Sequence, residues 1–223
     1  MWLTLLFEDL WFTSALLFLK EPLDKKVFEG YLNQLPLQMQ EKVTRFRKWE
    51  DKTNSLLGKV MLNQCAASNF GISDILDQIV YNPHHRPEVN EPLSFSISHS
   101  GNMVVCAMSE TCQLGIDVEQ LVEFDFAPFQ DYMSEKEWEQ IHLAKDPNRE
   151  FLKFWTQNEA VIKADGRGLS IPLNLLKVCN SKAKIAGTGW HLQEIKLHPC
   201  YICHLATDQK LDSQEVICQD FFL

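Results

Sequence analysis

Apolar residues at helical spacing mark the first long element of the chain, between residues 36 and 69. Leu56, Val60 and Cys65 recur about every four residues, so they fall on one side of an α-helix. No proline interrupts the segment, and Gly71 follows it with the residue type that commonly ends a helix. The pattern predicts either one long helix or two helices with a break.

Strand-forming residues predict a β-hairpin farther along the chain. Residues 93–98 and 103–108 are rich in such residues, and Ser100-Gly101-Asn102 between them has the composition of a turn. A third strand, residues 114–118, follows a short polar connection. The pattern thus predicts a hairpin followed by a third strand.

A second helical pattern begins at Ser134, a suitable N-cap, with Glu137 three residues later as its partner in a capping box. The pattern breaks near residues 146–148 and resumes over residues 149–164. Residues 190–223 alternate between apolar and polar positions, which predicts two or three further strands.

The order of these elements is typical of the α+β class. It suits two α+β units of about a hundred residues each, with a boundary near residues 117–125. The apolar N-terminal segment, residues 1–19, contains Glu8 and Asp9 and has no basic start. We therefore interpret it as one or two buried strands rather than a membrane span or a signal peptide.

Charge and cysteine content limit the classes of partner and compartment. Lys and Arg number 21 against 30 Asp and Glu, a net charge of −9, so we expect no nucleic acid and no membrane partner. Seven cysteines at irregular spacing indicate reduced thiols and a cytoplasmic location. Cys200 and Cys203 lack a second pair of zinc ligands nearby, so we expect Cys203 to be a small apolar residue on the inward face of a strand.

The segment Gly115-Ile116-Asp117-Val118-Glu119 contains the first candidate site. Side chains at i and i+2 of a strand share a face, so Asp117 and Glu119 project together. Two adjacent carboxylates repel each other unless a cation offsets them, and Mg²⁺ prefers such hard oxygen ligands. The pair indicates either a magnesium site or a solvent-facing polar strand end.

A second candidate lies on the predicted helix over residues 149–164. Glu159 and Lys163 are four residues apart and share one helix face. They form either part of a polar site or a surface pair that stabilises the helix by about 0.2–0.5 kcal/mol.

Two further groups of residues could bind phosphate. Ser98 and His99 stand at a strand end beside a glycine turn, where they are either phosphate contacts or ordinary turn residues. Residues 42–48 concentrate cations, including Lys42 and Arg45, in an otherwise acidic protein. This run is either an anion-binding surface or a solvated helix face.

Three stretches, taken together, closely resemble the 4'-phosphopantetheinyl transferases of the Sfp type. They are FSISHSGNMVVCAMS, LGIDVE and FWTQNEAVIKADGRGLSIPL, in the order and at the spacing of that family. A weaker upstream match includes RFRKWEDKTNSLLGKVML and Arg86-Pro87, so the resemblance extends from about residue 42 to residue 173.

The resemblance implies a two-lobed, pseudo-twofold α+β fold, with residues 1–120 as the N-terminal lobe and 121–223 as the C-terminal lobe. It implies an enzyme that binds coenzyme A as substrate between the lobes. The enzyme would transfer the 4'-phosphopantetheine group to a serine of an apo acyl or peptidyl carrier protein, release 3',5'-ADP and use Mg²⁺ or Mn²⁺. Family analogy also implies a monomer.

The same resemblance assigns roles residue by residue. Asp117, Glu119 and Glu159 would ligate the metal, and Glu159 would also be the general base. Lys163 would bind phosphate and stabilise the departing nucleotide, so the catalytic set would be Asp117, Glu159 and Lys163. The coenzyme would also contact Ser98, His99, Lys42, Arg45 and Arg86.

The chain departs from the family pattern at two positions. Asn158 replaces a Lys that commonly precedes the motif glutamate, and Asn54 with Ser55 replaces a basic residue before Leu-Leu-Gly. The carboxylates are intact, which argues against a non-catalytic coenzyme A or carrier-binding module. A different Mg²⁺-dependent phosphoryl-transfer enzyme is the second alternative, although the chain has no Walker-type glycine-rich loop.

Overall fold

The computed structural model describes residues 13–18, 22–90, 92–170, 176–179, 181–185, 187–211 and 217–220. The first twelve residues of the apolar N-terminal segment lie outside these ranges. The described helices are α1 (Lys25–Leu32), α2 (Leu37–Thr44), α3 (Trp49–Phe70), α4 (Glu135–Leu143) and α5 (Pro147–Asp165). The described strands are β1 (Thr13–Phe18), β2 (Val80–Tyr81), β3 (Pro87–Glu88), β4 (Ser94–Ser100), β5 (Met103–Ser109), β6 (Leu114–Gln120), β7 (Lys177–Cys179), β8 (Lys182–Ile185), β9 (Thr188–Glu194), β10 (Tyr201–Thr207) and β11 (Ile217–Asp220).

The first helical pattern forms two helices with a break, the second of the two alternatives. α2 ends at Thr44 and α3 begins at Trp49. α3 ends at Gly71, whose φ of 67° lies in the left-handed region that glycine tolerates best. Leu56 and Met61 of α3 are fully buried and belong to the hydrophobic cluster between α3 and strands β4 and β5.

The described strands form one mixed sheet, one antiparallel sheet and the short β2–β3 pair. The first has the strand order β11-β1-β5-β4, and the predicted hairpin is its β4–β5 pair, with Ser100 opposite Met103. The second has the order β6-β10-β9-β8-β7. The predicted third strand, β6, therefore pairs with β10 rather than with the hairpin.

Strand exchange links the two halves of the chain. β6 precedes residue 121 but belongs to the second sheet, whereas β11 near the C-terminus pairs in parallel with β1 in the first sheet. The lobe ranges 1–120 and 121–223 remain a prediction about domains. In the described part of the chain, no helix is long and apolar enough to span a bilayer.

Side-chain caps begin both helices of the second half, and the cap of α4 is the predicted one. Ser134 and Glu137 form the capping box of α4. The Asp146 carboxylate accepts a hydrogen bond from the Arg149 amide and begins α5, which explains why the helical pattern breaks there. α5 crosses β6 so closely at Gly115 that an added Cβ would collide with the backbone of residues 160–164. Glycine thus allows α5 to rest directly on β6.

The other face of β6 and β10 forms an apolar core. Tyr201, Cys203 and Leu205 pack there with Ile116 and Val118, which confirms the inward face predicted for β10. Their even-numbered neighbours on β10 face α5 instead, and His204 lies among them. The face that α5 covers is partly apolar, since Ile202 and Ala206 of β10 pack against α5, and its polar part carries the candidate site.

Buried His204 couples folding to pH. Its Nδ1 lies 2.7 Å from Thr156 Oγ1, and its Nε2 lies 3.3 Å from Gln157 Nε2. Burial and, next, the charge of Lys153 lower the pKa of His204 to about 4. An unfolded histidine has a pKa of about 6.5, so between these two values the unfolded chain binds more protons than the folded chain.

We expect the stabilisation from neutral His204 to be complete above pH ~6.5 and to be lost as the pH falls towards 4, by up to about 3 kcal/mol. His204→Gln should therefore flatten the pH dependence of the unfolding free energy in this window, measured by urea denaturation. His84→Gln, at an exposed turn, is the control and should keep the wild-type slope. A wild-type slope in the His204 variant would contradict this assignment.

Candidate active site

Side chains from β4, β6 and α5 converge on one cleft. Asp117 and Glu119 point to the same face of β6, as strand alternation requires. Glu159 and Lys163 come from successive turns of α5. The cleft contains a cavity of about 310 Å³ lined by Ile97, Ser98, His99, Asp117, Glu119, Trp155, Glu159 and Lys163.

Asp117 is the most buried carboxylate of the cleft, with an exposed fraction of 4%. Its Oδ1 lies 2.6 Å from Lys163 Nζ and accepts a hydrogen bond of 2.8 Å from Ser98 Oγ. Within the described residues its Oδ2 has no hydrogen-bond partner. A buried carboxylate oxygen without a partner is costly, so this atom is a strong acceptor for a cation.

Glu119 and Glu159 extend the negative charge across the cleft. Burial is the main cause that raises the pKa of Glu119 to about 7, opposed by a 2.5 Å hydrogen bond from Ser100 Oγ and reinforced by Asp117. Burial and the Asp117 charge also raise the pKa of Glu159, and Lys163 opposes them. Both pKa values therefore rise mainly because the carboxylates are withdrawn from water, and the neighbouring negative charges add to this effect.

The donor set fits a divalent cation. Among the described residues no three His, Cys, Asp or Glu side chains are already closed around a metal position, and the Lys163 ammonium contacts Asp117 instead. One ammonium nevertheless faces three carboxylates, and Asp117 Oδ2 is unpartnered within the described chain. Carboxylate oxygens are the ligands that Mg²⁺ and Mn²⁺ prefer, so their chemistry matches this cleft.

The structure brings six of the nine sequence-predicted residues together at this cavity and leaves three outside it. Asp117, Glu119, Glu159, Lys163, Ser98 and His99 all line the 310 Å³ cavity. Lys42 on α2 and Arg45, the residue that caps the C-terminus of α2, do not line this cavity. Lys42 Nζ donates to the Tyr81 hydroxyl over 3.0 Å, and the exposed Arg45 pairs with Glu41 over 3.7 Å.

The half-buried Lys59 lies between Lys42 of α2 and His99 of the cleft in its charge interactions. Burial and, next, the charge of Lys42 lower the pKa of Lys59 to about 8. Partial burial lowers the pKa of His99, which lines the cavity, and the positive charges of Lys163 and Lys59 lower it further.

Arg86 borders the neighbouring cavity of about 360 Å³, which Glu159 and Lys163 also line. Its Nη1 donates to the Ala164 carbonyl over 2.7 Å at the end of α5. Gly166 lies against the same guanidinium, and its φ of 81° admits glycine but strains other residues. Arg86 therefore secures the end of α5 in addition to facing a cavity.

The two departures from the family pattern both have structural roles here. Asn54 is 3% exposed, and its amide donates to the Gly101 carbonyl in the β4–β5 turn over 2.9 Å. Asn158 is 1% exposed, and its amide contacts Met133 Sδ at 3.7 Å. Both side chains therefore point into the protein rather than into the cleft.

Sequence reasoning did not identify Trp155 and Ser100 as parts of the site. Trp155 lines the cavity, and it precedes Glu159 by four residues, so helical spacing was the signal for it. Ser100 donates to Glu119 from a neighbouring strand of the other sheet. That contact depends on tertiary packing, and no local pattern reveals it.

Comparison with known proteins places the chain in one family. A model described as 4'-phosphopantetheinyl transferase superfamily matches residues 113–218, and one described as 4'-phosphopantetheinyl transferase, N-terminal, matches residues 21–111. The chain is 31% identical to 4'-phosphopantetheinyl transferase gsp of Aneurinibacillus migulanus over 71% of this chain and 68% of that protein. It is 27% identical to 4'-phosphopantetheinyl transferase Sfp of Bacillus subtilis over 73% of this chain and 74% of that protein. The chain therefore belongs to the 4'-phosphopantetheinyl transferase superfamily.

Proposed function

We propose that this enzyme transfers the 4'-phosphopantetheine group of coenzyme A to a serine of an apo acyl or peptidyl carrier protein and releases 3',5'-ADP. We further propose that it acts as a cytoplasmic monomer. The observation that carries the proposal is the convergence of three carboxylates and Lys163 in one cleft of a chain from this superfamily. The transferred group is a phosphate ester, so the reaction needs charge neutralisation at a pyrophosphate and a base for the serine hydroxyl.

Asp117, Glu119 and Glu159 are the residues that would hold Mg²⁺ or Mn²⁺. When bound, such an ion neutralises charge on the pyrophosphate oxygens. The support for this assignment is the excess of carboxylates over cations and the unpartnered Oδ2 of Asp117 within the described residues. Because these carboxylates are partly withdrawn from water, a bound cation would stabilise their ionised form.

Glu159 is the proposed general base. Burial and the Asp117 charge raise its pKa, which makes its carboxylate a better proton acceptor than an exposed one. The carboxylate would take the proton as the serine oxygen attacks the β-phosphorus and the bond to the 3',5'-ADP oxygen breaks. Lys163 is placed at the same cavity to stabilise the departing phosphate.

The remaining predicted site residues, which are polar or basic, are proposed to bind the coenzyme. Ser98 and His99 line the cavity and would contact its phosphates, and Arg86 would contribute from the adjoining cavity. Lys42 on α2 and Arg45 at its C-cap lie beyond these cavities and would interact with the adenosine end. The coenzyme would thus extend from the cleft towards α2.

The test is intact mass spectrometry of a panel of apo carrier proteins incubated with this enzyme, coenzyme A and Mg²⁺. The expected result is a gain of one phosphopantetheine group on at least one carrier. Its serine-to-alanine variant is the control and should gain nothing. Binding of coenzyme A without any transfer across the panel would overturn the proposal in favour of a non-catalytic module.

The α2 cations provide a test of the coenzyme orientation. Lys42→Ala with Arg45→Ala should raise the KM for coenzyme A about ten- to a hundredfold, because the loss of one charge-assisted hydrogen bond costs about 1.5–3 kcal/mol. Dephospho-coenzyme A should be a poorer substrate than coenzyme A for the wild type. Steady-state kinetics with both compounds measure these effects.

Lys25→Ala is the matched control for this variant. Lys25 forms an exposed i,i+4 pair with Glu29 on α1 over 3.7 Å, like that of Arg45 with Glu41. Its KM for coenzyme A should match the wild type. Equal KM values for the two coenzymes with the wild type would show that the α2 cations are a solvated helix face.

A further inference from the structure

Four alternating serines of β4 contact the backbone of β6. The hydroxyl oxygens accept hydrogen bonds from every second amide of β6, at 3.1–3.4 Å and with a constant offset of 20 residues. We call this set the serine ladder. Its contacts are Ser94 with Leu114, Ser96 with Ile116, Ser98 with Val118 and Ser100 with Gln120.

The ladder joins two sheets that share no backbone pairing at this seam. β4 is the edge strand of the first sheet, and β6 is the edge strand of the second. An edge strand presents a row of unpaired amides, and burial of unpaired amides is costly. The serine hydroxyls accept hydrogen bonds from these amides, so the two sheets meet in a fixed register without forming one continuous sheet.

The two rungs nearest the cleft also contact the carboxylates. Ser98 Oγ donates to Asp117 over 2.8 Å, and Ser100 Oγ donates to Glu119 over 2.5 Å. A hydroxyl has one proton and two lone pairs. An amide of β6 donates to one lone pair of each of these oxygens. The hydroxyl proton therefore points away from that amide and towards the carboxylate.

Ser98 uses its full hydrogen-bonding capacity. It donates to Asp117 and accepts from the Val118 amide and from Lys163 Nζ, the latter over 2.8 Å. Ser100 makes the equivalent pair of contacts with Glu119 and the Gln120 amide. Among the described residues, no other hydrogen bond to the Glu119 carboxylate is present.

We propose that the serine ladder sets the register between the two lobes, and that Ser100 is the positioning residue that holds the Glu119 carboxylate towards the cleft. The second half of this proposal rests on the proposed function. Glutamate has several side-chain torsions to restrict, and a hydrogen bond from a fixed hydroxyl restricts them before a cation binds. Ser100 thereby acts through Glu119 and not on the substrate.

The test of positioning compares Ser100→Ala with Ser94→Ala. Both variants remove one rung, but Ser94 contacts no carboxylate of the cleft. Mn²⁺ alone is titrated into each metal-free protein, and the binding is followed by electron paramagnetic resonance. Loss of a residue that orients a ligand typically weakens metal binding by about 10- to 100-fold, which we expect for Ser100→Ala, whereas Ser94→Ala should stay within about twofold of the wild type.

The transfer reaction provides a second readout. Ser100→Ala should raise the metal concentration for half-maximal rate more than it lowers the rate at saturating metal. Unchanged Mn²⁺ affinity in Ser100→Ala would overturn the positioning role. An equal loss of affinity in Ser94→Ala would also overturn it, because the effect would then belong to lobe packing.

Amide hydrogen exchange tests the ladder independently of catalysis. In the wild type the amides of Leu114, Ile116, Val118 and Gln120 should exchange slowly although they lie on a sheet edge. Ser94→Ala should speed exchange at Leu114 by about ten- to a hundredfold and leave Gln120 unchanged. Fast exchange of all four amides in the wild type would overturn the ladder. A wild-type protein that transferred nothing would defeat the proposed function, yet this measurement would still decide the ladder.

Discussion

Replacing Asp117 with Asn should lower the single-turnover rate of transfer by at least about a thousandfold. Asn keeps the shape and the hydrogen bond from Ser98 but loses the charge that faces Lys163 at 2.6 Å. Charge stabilisation by a held metal is worth several kcal/mol in the transition state, and each 1.36 kcal/mol is tenfold in rate. Quenched-flow mass analysis of the carrier measures the rate at saturating coenzyme A and Mg²⁺.

Asp165→Asn is the matched control for this variant. Asp165 is also a buried carboxylate paired with a cation, Arg167, at 2.5 Å, but it lies at the end of α5 outside the cleft. Its transfer rate should stay within a few-fold of the wild type. A near-normal rate in Asp117→Asn, with unfolding curves that confirm folded protein, would remove Asp117 from the catalytic set.

The elements that local chemistry determines could be predicted from the sequence. The capping box of Ser134 and the left-handed Gly71 both act within a few residues of their own helix end. The β4–β5 hairpin likewise depends on a turn between two adjacent strands. Local propensity and side-chain alternation therefore identify these boundaries to within a residue or two.

The sheet partners could not be predicted in the same way. β6 follows the hairpin closely in sequence but pairs with β10, more than eighty residues later. β11 returns to β1 across almost the entire chain. Such pairings depend on which faces become buried together, and no short pattern encodes that choice.

The candidate site was predictable where spacing determines geometry. Alternation on β6 brings Asp117 and Glu119 to one face, and helical spacing aligns Glu159 with Lys163. The contact between Ser100 of β4 and Glu119 could not be predicted, because the two residues meet only when the two sheets pack together. A basic residue in sequence is also ambiguous, as the contact of Arg86 with the end of α5 illustrates.

Glu159 provides the most direct test of the proposed proton transfer. Glu159→Gln keeps the side-chain shape while it removes the basic carboxylate. General-base catalysis typically contributes about 10²- to 10⁴-fold, so kcat should fall by that factor. Binding of coenzyme A, measured by calorimetry with Mg²⁺, should weaken much less, because Lys163, Asp117 and Glu119 still line the same cavity.

Glu150→Gln on the same helix controls for the removal of a carboxylate from α5. Glu150 contacts Lys153 over 2.9 Å, one turn along α5, and borders neither cavity of the site. Its kcat should match the wild type. If Glu159→Gln instead kept both the wild-type kcat and the wild-type pH profile of single-turnover transfer, the serine proton would have to leave by another route. Glu159 would then be a metal ligand or a partner of Lys163 only, and the carboxylate cluster would act through charge alone.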